Sequence, residues 1–201
     1  MVMVAKPGSG KSTLLENLLT RKEYYRRKFD NIYAFIPSNS FASLPEKSLL
    51  KKHDKVYDNL NIETLDKIMQ KIYKSAADEE NSLLVIDDQL HALKDVELLR
   101  QLEMIFSNRR HLRTSTIIST QVWNSLPLIL RKVLSHAIVW KVGSGKEQAS
   151  ILEEAFPGTK KEDAEELLRM AHKGRHDFLL IDLVNGKYWN SDLDELVIVD
   201  A

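Results

Sequence analysis

Apolar and polar positions fall into blocks along the chain. Residues 2–5 are uniformly apolar and run into a glycine-rich turn, the pattern of a buried strand. Residues 12–21 carry Leu14, Leu15, Leu18 and Leu19 at helical spacing. Residues 31–36 predict a second strand, closed by the Pro37-Ser38-Asn39-Ser40 turn signal. The stretch 41–60 is polar and without a clear period. Residues 62–73 place Leu65, Ile68, Met69 and Ile72 on one helix face, and 75–81 read as an acidic loop. Residues 83–86 are an all-apolar strand ending in Asp87-Asp88, and 96–112 predict a helix with Leu98, Leu99, Leu102, Ile105 and Phe106 inward.

Downstream, 114–120 is a β-branched strand ending at Gln121, 128–134 reads as helical and 137–142 as a strand. Two helices follow, 146–156 and 161–172, separated by Pro157-Gly158. Segments 177–184 and 187–189 flank Asn185-Gly186, a pair that favours a type I′ turn and so predicts a C-terminal β-hairpin. Strands alternating with helices imply an α/β fold with a mainly parallel sheet. No repeat or linker interrupts the chain, so residues 1–201 are expected to form one domain.

Charge changes this picture little. The 29 basic residues balance 29 acidic ones, so a nucleic-acid contact would need a local patch. With no cysteine, disulfides, cysteine-ligated zinc and thiol catalysis are excluded. No apolar run approaches the roughly 18 residues of a membrane span, and the apolar start is too short for a signal peptide. These features point to a soluble intracellular protein without a membrane partner.

The chemistry begins at Ala5-Lys6-Pro7-Gly8-Ser9-Gly10-Lys11-Ser12, which nearly fits the phosphate-loop pattern G-x-x-x-x-G-K-[ST]. Glycines let backbone N–H groups converge on phosphate oxygens, and the following helix aims its positive end at the same place. Lys11 is expected to reach the β- and γ-phosphates of ATP, Ser12 to ligate Mg²⁺, and Thr13 to sit near the α-phosphate. Ala5 replaces the first glycine, a change expected to be tolerated. The bland alternative is a chance glycine turn, which the strand before and the helix after disfavour. Gly143-Ser144-Gly145-Lys146 repeats the letters, but Glu147 follows where a hydroxyl is needed, so it reads as a plain turn.

Asp87 is expected to hold the Mg²⁺ shell, directly or through water, and Asp88 to polarise the attacking water. Alone, they would be ordinary strand-end aspartates. Gln121 would sense the γ-phosphate or orient the water; otherwise it is a solvated strand end. The cluster Arg109-Arg110-His111-Leu112-Arg113 is either a solvated helix end or the source of an arginine finger for a neighbouring subunit.

The series Lys6 to Thr13, Leu84-Val85-Ile86-Asp87-Asp88, Arg110-His111 and Ile117-Ile118-Ser119-Thr120-Gln121 resembles the FtsK–HerA superfamily. Within it, the chain is similar to the poxvirus-type genome-packaging ATPases of large DNA viruses, virophages and polinton-like viruses. Leu126-Pro127 with Arg131 and the strand 177–182 fit the same family. The resemblance implies a three-layer P-loop sandwich with strand order 5-1-4-3-2. It further implies a ring, expected to be a hexamer, that translocates double-stranded DNA into a capsid, with viral capsid proteins as partners. Arg110 would be the finger acting in trans, Gln121 the sensor and Asp88 the catalytic acid, where many relatives carry Glu. The setting would be the virion or a viral factory in the host cytoplasm or nucleus. Because the chain starts on its first strand, no N-terminal domain is expected.

Two basic clusters are candidate DNA contacts or solvated faces. One is Arg21, Lys22, Arg26, Arg27 and Lys28 with Tyr24 and Tyr25; the other is Lys47, Lys51, Lys52, His53 and Lys55. Two other functions compete with the translocase. A small-molecule or nucleotide kinase also suits the loop and the length, but the Asp-Asp and Thr-Gln strand ends favour water activation. A non-catalytic ATP-binding subunit is disfavoured by intact Lys11, Ser12, Asp87 and Asp88.

Overall fold

The computed structural model describes residues 1–198, so the last three residues of the expected 1–201 domain lie outside it. The chain is an α/β protein whose contacts gather into two compact units, Lys11–Ser119 and Met1–Gly10 with Thr120–Ala201.

In the first of these, α1 (Lys11–Thr20) leads to β2 (Asn31–Phe35), α2 (Ser38–Ser43), β3 (Val56–Tyr57), α3 (Ile62–Ala77), β4 (Ser82–Asp87), α4 (Val96–Ser107) and β5 (Thr114–Thr120). The strands run in the order β3-β2-β4-β5, every pairing parallel. All six residues of β4 are buried. A strand covered on both faces needs an uninterrupted apolar run, which 83–86 supplies. Leu65, Ile68 and Ile72 of α3 are fully buried, as their spacing predicts. That helix starts where the Asn61 side chain accepts the Thr64 N–H at 2.9 Å; α4 starts where Asp95 accepts the N–H groups of Glu97 and Leu98.

The polar stretch 41–60 is held by side-chain hydrogen bonds to distant parts of the unit. Glu16 accepts the Ser48 hydroxyl at 2.6 Å and the Leu49 N–H at 2.8 Å. Asp58 accepts the N–H and hydroxyl of Ser38. Gln89, 1% exposed, donates to the Asp58 carbonyl at 2.6 Å and accepts the Leu60 N–H at 3.4 Å.

The second unit holds β1 (Val2–Val4), α5 (Leu128–Arg131), β6 (His136–Trp140), α6 (Gly145–Ala155), α7 (Lys161–Ala171), β7 (Phe178–Asp182), β8 (Lys187–Trp189) and β9 (Glu195–Leu196). Its strands run β1-β6-β7-β8-β9. The β1/β6 pair is parallel and the remainder antiparallel. The expected segments 5-1 and 4-3-2 therefore occur in their respective units. The exact order differs from 5-1-4-3-2 because β3 joins one edge and β7, β8 and β9 extend the other.

The C-terminal hairpin is present, but its turn is not the two-residue type I′ read from Asn185-Gly186. Four residues separate β7 from β8, and Gly186 adopts φ 64° while Asn185 does not enter the left-handed region. The cause is Asp182, whose carboxylate accepts the N–H groups of Val184 and Asn185 and, at 2.6 Å, the Asn185 amide. Those hydrogen bonds, the Asn185 side chain first, hold the Asp182 carboxyl below its usual pKa.

Candidate active site

The strand β1 ends at Val4, and the Ala5 N–H still donates to the Thr120 carbonyl at 3.0 Å. Ala5 needs no left-handed backbone, so the missing glycine costs nothing there. Gly8 and Gly10 do need it, at φ 75° and 100°. This is backbone that L side chains resist, and it lets successive N–H groups face one concavity. The Ser9 N–H closes the turn on the Lys6 carbonyl at 3.3 Å. Lys11, Ser12 and Thr13 are the first three residues of α1, whose first turn carries no acidic side chain. An anion there meets unopposed N–H donors and the helix's positive end.

Gly143, in the turn that repeats the letters, lies against the loop lysine. A Cβ at that position would lie 2.0 Å from Lys6 Nζ, so the glycine makes room for the loop lysine. Gly145 then opens α6, and Glu147 accepts the Trp123 N–H at 2.7 Å.

Within Lys11–Ser119, Asp87 is the last residue of β4, 8% exposed and in register with Ser119. It accepts the Ser119 hydroxyl in a short hydrogen bond. Ser119 was given no role by the sequence, although two parallel strands ending together in polar residues would have signalled it. Asp88 turns out of the strand with φ 51°, and its N–H donates to the Ser119 carbonyl at 2.9 Å. An aspartate held in left-handed backbone at a strand tip is strained, and such strain concentrates at functional sites. Among the described residues, no group of three or more His, Asp or Glu gathers to hold a metal alone. Ser12 and Asp87 carry oxygen donors, the ligand type that Mg²⁺ takes, so the chemistry of the donor set suits that ion.

Gln121 follows β5 and is exposed, as a strand-end residue would be. Arg110 is exposed at the opposite end of the parallel strands from Asp87. With Lys28, Arg109, Arg113 and Asn81 it lines an open hollow of about 540 Å³. The length of β4 puts that end about 17 Å from Asp87, at about 3.3 Å per residue. Arg110 therefore has no route to chemistry at Asp87 of its own chain.

Arg131 is fixed inside its own chain. Its guanidinium donates to Glu154 at 2.7 Å and to the Asn124 amide oxygen at 3.1 Å, and lies 5.9 Å from the centre of the Trp123 ring. The basic cluster at 47–55 is partly consumed in the same way. Lys51 pairs with Glu46 at 2.8 Å, and Lys55 donates to Asn31 while lying over Tyr33. Of the other cluster, Arg21, Lys22, Arg26, Arg27 and Lys28 are all exposed.

Sequence reasoning also missed Arg175 and His176, in the turn between α7 and β7. The His176 ring nitrogen Nδ1 lies 3.2 Å from the Ser9 carbonyl.

A parallel strand running into a left-handed glycine turn, a helix starting at Lys11-Ser12-Thr13 and a buried strand ending in an acidic pair define a P-loop nucleoside triphosphatase. More narrowly, the chain belongs to the family described as Poxvirus A32 protein, whose model matches residues 1–186. No curated protein matches the chain. Its fold is similar to that of the genome packaging NTPase B204 from Sulfolobus turreted icosahedral virus 2 in complex with ATP-gammaS. That match has a TM-score of 0.68 at 19% identity and covers 98% of this chain and 97% of that one. B204 from Sulfolobus turreted icosahedral virus, described as a DNA-packaging ATPase, gives a TM-score of 0.67 at 18% identity, covering 98% and 97%. The cytoplasmic domain of the Thermomonospora curvata type VII secretion ATPase EccC gives 0.56 at 16% identity, over 89% of this chain and 23% of that one. The kinase reading finds no support among these relatives. No helix among the described residues is long and apolar enough to cross a membrane.

Proposed function

We propose that this protein is an ATPase that translocates double-stranded DNA during packaging of a viral genome. The carrying observation is family membership over residues 1–186, a span that includes the phosphate loop and the Asp87-Asp88 strand end. Two similar folds are of viral packaging NTPases, one of them in complex with ATP-gammaS. The family match runs through residues of both compact units, which supports residues 1–201 as one ATPase domain.

The roles follow from the geometry. Backbone N–H groups of Pro7 to Thr13, proline's own excepted, cradle the phosphates of ATP. Lys11 neutralises the β- and γ-oxygens, and Thr13 lies near the α-phosphate. Ser12 and Asp87 would hold Mg²⁺, which when bound would offset the charge that develops on the phosphate oxygens. The Ser119 hydroxyl fixes one Asp87 oxygen, and the other would be available to the ion. Asp88, rotated out of the strand by its left-handed backbone, orients and deprotonates water. Gln121 reads the γ-phosphate. Arg110 serves the site of an adjacent subunit, which supports a ring, expected to be a hexamer. Exposed Arg21, Lys22, Arg26, Arg27 and Lys28 supply phosphate contacts to DNA. Capsid proteins are the docking partners, and the virion or viral factory is the setting.

Phosphate release measured with and without duplex DNA tests the proposal. DNA should stimulate turnover, and Lys11→Ala or Asp88→Asn should abolish it. Wild-type protein that ignores DNA but phosphorylates a nucleoside monophosphate would overturn the reading. Arg110→Ala should poison rings mixed with wild-type subunits; linear dilution of activity would refute the role in trans.

A further inference from the structure

The turn between α7 and β7 lies against the phosphate loop. A Cβ on Gly8 would stand 3.5 Å from Arg175 Nη2, and one on Gly10 would stand 3.7 Å from His176 Nδ1. The Ser9 carbonyl can only accept, so His176 Nδ1 donates to it at 3.2 Å. The turn is anchored behind. Trp140 Nε1 donates to the His176 carbonyl at 3.0 Å, and Asp177 accepts the Gly174 N–H at 2.6 Å. The Trp140 and Phe178 rings pack with centroids 5.1 Å apart. Among the described residues, the exposed Arg175 makes no ion pair.

A guanidinium without a carboxylate, held beside a loop that presents N–H donors, is placed for an anion shared by both. Resting on the ATP-site reading above, we infer that Arg175 is a nucleotide-binding residue acting in cis. Its planar fork binds phosphate oxygens in paired hydrogen bonds, which the point charge of a lysine does not make. His176 is a positioning residue: through Ser9 it ties the arginine's turn to the loop. Phosphate binding thereby draws the α7–β7 turn and the glycine loop onto one ligand.

The test is equilibrium binding of ADP and of a non-hydrolysable ATP analogue to the full chain, followed by calorimetry, with thermal midpoints of the nucleotide-free proteins alongside. A charge-assisted hydrogen bond supports a loss of about tenfold or more in affinity for the triphosphate analogue in Arg175→Ala, with partial recovery in Arg175→Lys. The nucleotide-free midpoint should not move, because the side chain is exposed. His176→Ala should lose less affinity, and His176→Asn, which keeps a donor, should recover it. Wild-type affinity in Arg175→Ala while Lys11→Ala loses binding would overturn this inference and leave the ATP site standing. Wild-type affinity in Lys11→Ala would overturn the ATP site itself. A fall in the Arg175→Ala nucleotide-free midpoint would make the arginine structural and overturn its role in binding.

Discussion

Arg131 decides whether one or two arginines are free to serve a neighbouring subunit, and its substitution has a calculable cost. The guanidinium side chain is 12% exposed and pairs with a Glu154 side chain that is 27% exposed. Breaking a buried ion pair by removing one partner costs about 3–5 kcal/mol, because the other charge stays behind. Glu154 retains solvent access and the Trp123 Nε1–H at 3.1 Å, which lowers the cost to about 2 kcal/mol. Loss of the arginine over the Trp123 ring adds about 0.5 kcal/mol. For a chain of this size, each kcal/mol shifts the midpoint by about 2–4 °C, so Arg131→Ala should melt roughly 5–10 °C lower. Arg131→Met with Glu154→Gln, which removes both charges and keeps an acceptor for Trp123, should recover most of that loss. Differential scanning calorimetry gives the midpoints, and phosphate release well below them gives activity per folded molecule. The expected result is a lower midpoint with preserved specific activity and no poisoning of mixed rings. An unchanged midpoint together with abolished hydrolysis would show that Arg131 works on a nucleotide, and the structural assignment would fall.

Asp88→Gly should raise stability by about 1 kcal/mol, seen in denaturant midpoints, because glycine relieves the left-handed strain, while eliminating hydrolysis; a destabilised Gly variant would contradict the strain argument. Gln89→Ala should destabilise by about 2 kcal/mol in urea titration, since it orphans the Asp58 carbonyl and the Leu60 N–H; a neutral result would mean water replaces the amide. His172 is held below its ordinary pKa of 6.5 chiefly by burial, although its hydrogen bond to the Val139 carbonyl opposes the shift. The fold therefore prefers neutral imidazole, so this contribution is complete above pH 6.5 and is lost as pH falls through the depressed value. His172→Gln should flatten the drop in melting midpoint between pH 7 and pH 5, and parallel pH profiles for the two proteins would rule His172 out.

What the sequence made legible, and what it did not, follows from the range of the interactions involved. Residues 83–86 announce a buried strand because both of its faces are covered, and local hydrophobicity records that directly. The glycine turn at Gly8 and Gly10 is legible because its backbone requirement is local. The stretch 41–60 carried no period, since its order comes from Glu16, Asp58 and Gln89, whose partners lie 20–33 positions away. At Asn185-Gly186 the short-range rule pointed to one turn, and a carboxylate three residues back selected another. Arg175 and His176 show the same limit at the site. His176 meets Ser9 from 167 positions away, and Gly174-Arg175-His176-Asp177 looks like any polar turn. Chemistry written into one contiguous loop can be read residue by residue. Chemistry delivered to that loop by a distant turn becomes visible only once Trp140 and Asp177 have fixed where the turn lies.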